Sequence, residues 1–235
     1  MSIELDTATY YTATKKYFLN FPELQEDIDV DVVVIGGGFT GINTSLELAE
    51  QGITDIAILE AKYLGYGGTG RNGGQVMAGI GHDIDVLAKS VGPEGVKAIF
   101  ELSDQGAKII RERIEKYNID ADFCRAYAYM AFNKRQTETL KQWEKDFKAI
   151  DNTNEIYIES GKNIHKVIGS DAYVSGLVHM GAGHVHSLNL LLGEAQAVSS
   201  YGVKIYEFSP AVEVTYGKRI KVRTPKGTIT ANRLL

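Results

Sequence analysis

The sequence predicts an α/β protein built on a Rossmann-like, mostly parallel sheet, and three consecutive segments carry this prediction. Residues 30–35 read V-D-V-V-V-I, a β-branched run typical of a parallel strand that is covered on both faces. Residues 39–51 place their apolar side chains at helical spacing and end before a glycine, as a helix with a glycine C-terminus does. Residues 56–59 are a second short apolar run. Together they predict a βαβ unit.

The rest of the chain predicts further helices and strands in a less regular order. The predicted helices cover residues 93–117, 134–150 and 187–200, and the predicted strands cover residues 123–132, 155–159, 203–206, 211–215 and 219–224. The closing residues T-I-T-A-N-R-L-L begin one more strand, and we expect the fold to be truncated at its C-terminal side there.

This order of elements predicts two domains and an N-terminal arm. Residues 1–28 are polar and aromatic and match neither the helical nor the strand period, so we expect an arm that packs on the body. Residues 29–90 and 185–235 are predicted to form an incomplete dinucleotide-binding domain. Residues 91–184 are predicted to form part of an α+β substrate or cap domain that interrupts it.

Composition narrows the class of ligand. The chain has 235 residues, 44% of them hydrophobic, and a net charge of -5 with acidic and basic residues interspersed, so we expect no nucleic-acid partner. Cys124 is the single cysteine, which excludes an internal disulfide and fits a reducing compartment. The acidic N-terminus does not match a secretory signal, and no apolar run is long enough to insert stably into a bilayer. We therefore expect a cytoplasmic protein with a small-molecule substrate.

A nucleotide-binding fingerprint lies between the first predicted strand and helix. Gly36, Gly38 and Gly41 form G-x-G-x-x-G, in which the first glycine permits the turn, the second admits a pyrophosphate and the third lets the helix pack closely. The helix N-terminus favours the phosphates. Glu60 ends the second strand, where a carboxylate accepts hydrogen bonds from the ribose hydroxyls of an adenosine and repels the 2′-phosphate of NADP.

The fingerprint alone serves NAD and FAD equally, and the following segment favours FAD. Residues 62–76, which we call the glycine loop, form a long glycine-dense excursion suited to following a larger cofactor from its pyrophosphate toward its ring. Two alternatives stay open at this point: a nicotinamide-dependent dehydrogenase, and an inactive flavoprotein fragment that acts only in binding.

Four segments resemble a known family, the FAD-dependent amino-acid and amine oxidoreductases, which include D-amino-acid dehydrogenases and glycine and sarcosine oxidases. The segments are D-V-V-V-I-G-G-G-F-T-G-I at residues 31–42, L-E-A at 59–61, G-T-G-R-N-G-G-Q at 68–75 and G-H-V-H-S-L-N-L-L at 183–191. The resemblance runs from Tyr10 almost to Leu235, as an N-terminal portion. The sequence of the third segment is most similar to the gamma-glutamylputrescine oxidoreductase branch of this family.

The resemblance implies a flavoprotein of the GR2 type with a non-covalently held FAD. It places the pyrophosphate on the turn and the helix start, the ribose on Glu60, and the ring near residues 71–75. The implied cofactor-binding residues are Gly36, Gly38, Phe39, Thr40, Gly41, Glu60, Ala61, Thr69, Arg71, Asn72, Gly73, Gly74, Gln75 and Val212. Val212 corresponds to a valine whose backbone contacts adenine in this family. Because the fold is expected to be truncated, we expect the isolated chain to retain flavin weakly.

The implied chemistry is oxidation of a CH–NH group of an amine or amino acid to an imine that water hydrolyses. The cofactor carries the difficult step, so the resemblance requires no side-chain base, and we assign no catalytic residue. Tyr127 and Tyr129 are distant candidates for the substrate side, but an aromatic core of their sheet is the favoured interpretation.

The last family segment contains a histidine cluster and a departure from the family pattern. His179, His184 and His186 have no accompanying acid or cysteine set, so we predict no metal site. Ser187 stands where the family commonly has proline, and we expect it to cap a helix that begins at Leu188.

Overall fold

The computed structural model describes residues 8–77, 84–150 and 155–235, without the side chains of residues 85 and 150. The described chain forms two compact units. The first unit contains Met1–Gly73, Arg113–Ala121 and His186–Leu235, and the second contains Gly74–Glu112 and Asp122–Val185. The expected domain limits remain a prediction. Among the described residues, this division assigns residues 74–77, 84–90 and 185 to the second unit and residues 113–121 to the first.

A six-stranded sheet forms the centre of the first unit. Its strands are Ile28–Ile35 (β1), Ile56–Leu59 (β2), Lys204–Tyr206 (β7), Glu213–Thr215 (β8), Ile220–Arg223 (β9) and Thr228–Leu234 (β10). They lie in the order β7-β2-β1-β10-β9-β8. The first four strands in this order are parallel, and β9 and β8 continue the sheet as antiparallel strands. The predicted Rossmann-like α/β arrangement is confirmed.

Strand β1 is buried on both faces, as its β-branched sequence predicts. Val32 and Val34 contribute to a core formed with the helices α2 (Phe39–Glu50) and α5 (Ser187–Ser200). Val33 contributes to a second core on Leu24 and Ile229. The three valines are at most 2% exposed, so the strand is held by apolar burial on either side of the sheet.

Strand β1 is also the point where the chain order of the sheet reverses. Strand β2 pairs with one edge of β1, and β10 pairs with the other in parallel register, from Ile28 opposite Ile229 to Val33 opposite Leu234. Ligands of open α/β sheets bind beyond the carboxyl ends of strands at such a reversal. The turn that follows β1 is therefore the first place to look for a site.

The second unit is an antiparallel sheet with two helices. Strand β6 (Ser175–His184) pairs with β4 (Cys124–Ala131), with β5 (Ile156–Ser160) and with the short β3 (Gln75–Val76). Helix α4 (Lys134–Ile150) packs its Leu140 and Trp143 on this sheet. The sequence did not predict β6, because its glycines weaken the strand signal. Position 183 has room only for glycine, because a Cβ there would lie 2.5 Å from the carbonyl oxygen of Cys124.

Two helices differ from their predicted limits. Helix α3 (Ile84–Lys116) begins before the predicted residue 93 and is interrupted at Gly92, which has a φ of 71° and precedes Pro93. In the arm, a short helix α1 (Tyr10–Thr14) is capped by Thr9, while residues 1–7 lie outside the described part. None of the helices in the described ranges is long and apolar enough to cross a membrane.

Candidate functional site

The turn after β1 depends on two glycines. Gly36 has a φ of 105°, a backbone conformation that side chains disfavour. Gly41 lies where α2 approaches this turn, and a Cβ there would lie 2.0 Å from the carbonyl oxygen of Gly36 and 3.1 Å from Val34. The G-x-G-x-x-G spacing therefore brings the first turn of α2 directly against the end of β1.

The N-terminus of α2 presents the donor set that a phosphate requires. Gly38 is the N-cap residue and provides no side chain to cap the helix, and the first turn, which contains Phe39 and Thr40, holds no acidic residue. The N–H of Phe39 donates to Thr69 Oγ1 at 3.3 Å. Backbone N–H groups, a hydroxyl and the positive end of the helix dipole thus lie together, and this set fits a pyrophosphate.

Glu60 lies at the carboxyl end of β2 and is joined to the same turn. Its Oε2 accepts a hydrogen bond from the N–H of Gly37 at 2.9 Å, and its Oε1 accepts one from the N–H of Lys62 at 2.9 Å. Two carboxylate oxygens have about four acceptor positions, so this arrangement leaves capacity for hydroxyl donors. Ala61, between these residues, is exposed. The carboxylate position fits the ribose that the fingerprint implies.

The segment after β7 packs against Glu60. The N–H of Ser209 donates to the carbonyl oxygen of Glu60 at 2.9 Å. The N–H of Phe208 donates to the carbonyl oxygen of Lys62 at 2.7 Å. Val212 follows three residues later, just before β8, and is half exposed. Its N–H donates to the carbonyl oxygen of Arg223 at 2.8 Å, so the backbone near the expected adenine position is fixed by β9.

Glu207 is a buried acid that the sequence did not single out. Its Oε1 accepts a hydrogen bond from the N–H of Leu64 at 2.7 Å and so anchors the start of the glycine loop. Burial raises the pKa of the Glu207 carboxyl, and the nearby Glu60 charge adds to this, while the N–H groups of Leu64 and Phe21 lower it. Its partners Leu64 and Phe21 are distant in the sequence, and spacing gives no signal of these contacts.

Within the first unit, the glycine loop is held by its own side chains and by Ser187 of α5. Asn72 Nδ2 donates to the carbonyl oxygens of Gly68 at 3.3 Å and Thr69 at 3.0 Å, and Asn72 Oδ1 accepts from Ser187 Oγ at 2.5 Å. Arg71 Nε donates to the carbonyl oxygen of Tyr66 at 2.8 Å, with the guanidinium 5.7 Å from the Tyr66 ring centroid. The structure thus places Thr69 beside the α2 N-terminus and gives Asn72 the contacts of a loop brace.

The remaining predicted residues of the loop divide between the two units. Gly73 is exposed and is the last residue of its stretch of the first unit, whereas Gly74 and Gln75 belong to the second. In the second unit, the carbonyl oxygen of Gly74 accepts from the N–H of Val185 at 2.9 Å, and Gln75 in β3 pairs with His184.

A buried polar network lies behind the N-terminal half of α2, in the first unit. Glu194 of α5 is fully buried, and its Oε2 accepts from Asn43 Nδ2 at 2.8 Å. Burial raises the pKa of the Glu194 carboxyl to about 7, although the Asn43 hydrogen bond and the Arg113 charge lower it. Arg113 Nη1 donates to Asn43 Oδ1 at 2.8 Å, which joins α2, α5 and the end of α3.

The same arginine connects this network to acids near the C-terminal end of α2. Arg113 Nη2 donates to Glu47 at 2.8 Å and to Glu50 at 2.9 Å. Burial raises the pKa of the Glu50 carboxyl, but hydrogen bonds from Lys116, Tyr117 and Arg113 outweigh it and lower the pKa to about 2. The sequence predicts the helix that contains Arg113, but it gives no signal of the partners of Arg113 on α2.

Tyr129 of β4 packs against the core of the second unit, and Tyr127 contacts Tyr129. Tyr129 packs edge-on against Trp143 with the ring centroids 5.4 Å apart, and Tyr127 lies 5.0 Å from Tyr129. Burial raises the pKa of the Tyr129 hydroxyl, and the neighbouring Tyr127 adds to this. The core interpretation therefore describes Tyr129 better than a substrate contact.

The predicted capping role of Ser187 is wrong. Helix α5 begins at Ser187 itself, and the N-cap is His186, whose Nδ1 accepts from the N–H of Asn189 at 3.1 Å. An imidazole nitrogen occupies the acceptor position that a serine hydroxyl commonly takes. Among the described residues, no group of three His, Cys, Asp or Glu side chains is placed to hold a metal ion.

Comparisons with known proteins identify the family of this chain. A family model described as FAD dependent oxidoreductase matches residues 31–235. The chain is 36% identical over 229 residues to gamma-glutamylputrescine oxidoreductase of Escherichia coli strain K12, covering 97% of this chain and 53% of that protein. It is 35% identical over 228 residues to the probable oxidoreductase OrdL of Haemophilus influenzae, again over 97% of this chain and 53% of the other. The chain spans about half the length of the curated relatives it matches.

Solved structures show the same fold at lower identity. L-amino acid deaminase from Proteus myxofaciens, in complex with anthranilate, superposes with a TM-score of 0.75 at 24% identity, over 94% of this chain and 48% of that one. Glycine oxidase from Geobacillus kaustophilus superposes with a TM-score of 0.67 at 18% identity, over 88% of this chain and 54% of that one.

Proposed function

The chain belongs to the FAD dependent oxidoreductase family, and from this premise we propose that its first unit binds FAD at the carboxyl ends of β1 and β2. One observation carries the proposal: the glycine turn after β1 and the Glu60 carboxylate after β2 are hydrogen-bonded to each other at the point where the sheet order reverses.

Each part of the site has a proposed task toward the cofactor. The N–H groups at the start of α2, with Thr69, hold the pyrophosphate. Glu60 accepts the ribose hydroxyls with the acceptor capacity that Gly37 and Lys62 leave. Residues 71–73, with Asn72 as a brace, place the first-unit part of the glycine loop at the flavin, and Val212 contacts the adenine.

An FAD titration of the purified chain tests this proposal. We expect FAD to bind with quenching of its fluorescence, and Glu60→Gln to weaken binding about tenfold or more, because hydrogen bonds to a charged acceptor contribute about 1.5–3 kcal/mol. Glu115→Gln, at an exposed position of α3, is the matched control. Binding of NADH without binding of FAD would favour a nicotinamide-dependent dehydrogenase instead.

The reaction proposed for the family domain is oxidation of a CH–NH group in an amine or amino acid. FAD supplies, when bound, an acceptor for the hydride equivalent that leaves the carbon beside the amine. The task of the chain is to orient the substrate over that acceptor and to exclude water, and we propose residues 91–184 as part of the substrate domain. The imine product then hydrolyses in water.

For the substrate we propose an amine like gamma-glutamylputrescine, and hence a role in putrescine catabolism within the cytoplasm. The support is the 36% identity to an oxidoreductase with that name. The test is anaerobic mixing of the flavin-loaded chain with gamma-glutamylputrescine, glycine or sarcosine, read as loss of the visible flavin absorbance. Bleaching by gamma-glutamylputrescine at the highest rate is expected. A higher rate with glycine or sarcosine contradicts this substrate, and bleaching by none contradicts catalysis by these 235 residues.

A further inference from the structure

The first turn of α5 holds the arm and the glycine loop at adjacent positions. His186 Nε2 lies 3.0 Å from Thr14 Oγ1, at the end of α1, and Asn189 Oδ1 accepts from the N–H of Lys16 at 2.9 Å. The next residue after His186 is Ser187, whose hydroxyl donates to Asn72 of the glycine loop. All of these residues belong to the first unit.

The contacts of His186 define its tautomer. Its Nδ1 accepts from the N–H of Asn189 and therefore carries no proton. The hydroxyl of Thr14 donates its own hydrogen to the carbonyl oxygen of Tyr10 at 2.7 Å, so it receives the hydrogen bond from His186. The imidazole is thus neutral with its proton on Nε2, and one ring joins the α5 N-cap to the arm.

The ring is also enclosed by the arm. His186 is 5% exposed, and the Tyr11 ring meets it edge-on with the centroids 4.8 Å apart, while the Tyr10 ring lies 6.0 Å away. Its backbone N–H donates to the carbonyl oxygen of Ala121 at 2.7 Å. With backbone, ring nitrogens and ring faces all in contact, the position of His186 is tightly defined.

A path of hydrogen bonds leads from Ser187, the residue that follows His186, to the proposed cofactor site. Ser187 contacts Asn72, the Asn72 amide donates to the carbonyl oxygen of Thr69, and the Thr69 hydroxyl accepts from the N–H of Phe39 at the start of α2. Every step of the path is a side chain that contacts the next segment, so a shift at the first turn of α5 has a route to the phosphate-binding turn.

We propose that His186 is a positioning residue that couples the N-terminal arm to the glycine loop: by fixing the first turn of α5 against Thr14, it holds Ser187 where it braces Asn72. The inference rests on the proposed function in taking the loop to be part of the FAD site. The arm is then a support of the cofactor site, although it supplies none of the residues proposed to contact the cofactor.

Hydrogen exchange of the full chain without FAD tests the coupling directly. Thr14→Val removes the acceptor of the His186 bond, and we expect the amides of residues 68–73 to exchange about fivefold faster, the factor that corresponds to one net hydrogen bond. Thr139→Val is the matched control, because Thr139 also donates to the carbonyl oxygen four residues earlier but lies on α4. Unchanged exchange in residues 32–34 of β1 establishes that the effect is local.

Variants of the histidine separate positioning from general structural support. His186→Asn keeps an N-cap acceptor but cannot reach Thr14, so the loop should exchange as in Thr14→Val while the first turn of α5 stays protected. His186→Ala should speed amide exchange both in the glycine loop and in the first turn of α5. If His186→Ala does not fold, the Thr14→Val and His186→Asn data decide the question alone. Faster exchange confined to the arm in both of these variants overturns the proposal.

Measuring FAD affinity completes the test and distinguishes the proposed coupling of arm and loop from the proposed function. Thr14→Val should weaken FAD affinity about fivefold, and its effect should be less than additive with Ser187→Ala, because both remove the same support. Equal FAD affinity in Thr14→Val and the unsubstituted chain overturns the link to the cofactor. Failure of the unsubstituted chain to bind FAD contradicts the proposed function, while the exchange data still decide whether the arm and loop are coupled.

Discussion

Gly41 shows how one missing side chain sets the geometry of the candidate site. A Cβ at this position would lie 2.0 Å from the Gly36 carbonyl oxygen, so Gly41→Ala must push α2 away from the end of β1. We expect a loss of about 2–3 kcal/mol in the free energy of unfolding, as for other overpacked positions, together with weaker FAD binding. Urea unfolding and FAD titration measure the two effects.

Gly106→Ala provides the control for that substitution. A Cβ at Gly106 in α3 meets no atom within 4 Å, and the residue has ordinary helical surroundings. The helix propensity of alanine should therefore stabilise the chain by about 0.5–1 kcal/mol. Equal effects of the two alanines would show that the contact with Gly36 does not matter.

Glu194 gives the stability of the chain a specific dependence on pH. Its pKa is about 7 in the folded chain and 4.5 when exposed, so the folded state holds the proton more tightly. The stability contribution is fully present below pH 4.5 and is lost as pH rises through 7, by up to about 3 kcal/mol at 1.36 kcal/mol for each pKa unit. Glu194→Gln does not titrate, so its stability relative to the unsubstituted chain should rise between pH 4.5 and 8.

Urea unfolding at several pH values measures this difference. Glu115→Gln, at an exposed position, should stay within about 0.5 kcal/mol of the unsubstituted chain throughout the range. A constant offset for Glu194→Gln between pH 4.5 and 8 would contradict a buried, proton-binding carboxyl.

At the level of elements, strand β4 contains a bulge with an unfavourable residue. The pairing of β4 with β6 shifts between Arg125 and Tyr127, and Ala126 between them has a φ of 86°. An alanine in this conformation costs about 1–2 kcal/mol, whereas glycine adopts it freely. Ala126→Gly should therefore stabilise the chain by about 0.5–1 kcal/mol in urea unfolding.

Ala128→Gly in the same strand is the matched comparison. Ala128 pairs regularly with Val178, so glycine there only adds conformational freedom to the unfolded chain and should destabilise it by about 1 kcal/mol. If both glycines destabilise equally, the bulge stores no strain.

The elements that the sequence predicted are those whose signal is local. The βαβ unit was predictable because β1, α2 and β2 each carry their own period within a few residues, and the glycine fingerprint lies between them. Strand β6 was not, because the space that requires Gly183 is set by Cys124 and Phe123, about 60 residues earlier. The predicted second domain therefore lacked the strand that pairs with all the others in its sheet.

The candidate site divides in the same way. Gly36, Gly41 and Glu60 were predictable from spacing, because Gly41 meets Gly36 and Glu60 meets Gly37 within a single βαβ unit. The partners of Asn43 and Asn72 were not, because Glu194 and Ser187 come from α5, more than 100 residues later. The N-cap of α5 was misassigned because serine is the common capping residue, while the surroundings of His186 come from the arm.

At the level of the whole molecule, the division into two compact units predicts which amides the proposed cofactor protects from exchange. A ligand that binds the folded state at 100 times its Kd stabilises that state by about 2.7 kcal/mol. We expect FAD to slow amide exchange by up to about 100-fold in the core of the first unit, around β1, β2 and α2, and less in the sheet of the second. NADP, which Glu60 should repel, is the control ligand. Equal protection by both ligands would contradict a ribose-binding Glu60.

The pairing of β1 with β10 has a consequence for how the chain is made. The two strands are neighbours in the sheet but about 200 residues apart in sequence. At a translation rate of about 5–20 residues per second, the ribosome releases β1 about 10–40 s before its partner exists. During that interval one edge of an apolar strand has no native partner, which is the situation that chaperones recognise. Among the strands that the structure describes, β1, which supports the glycine turn, is thus the one that waits longest for a partner during synthesis.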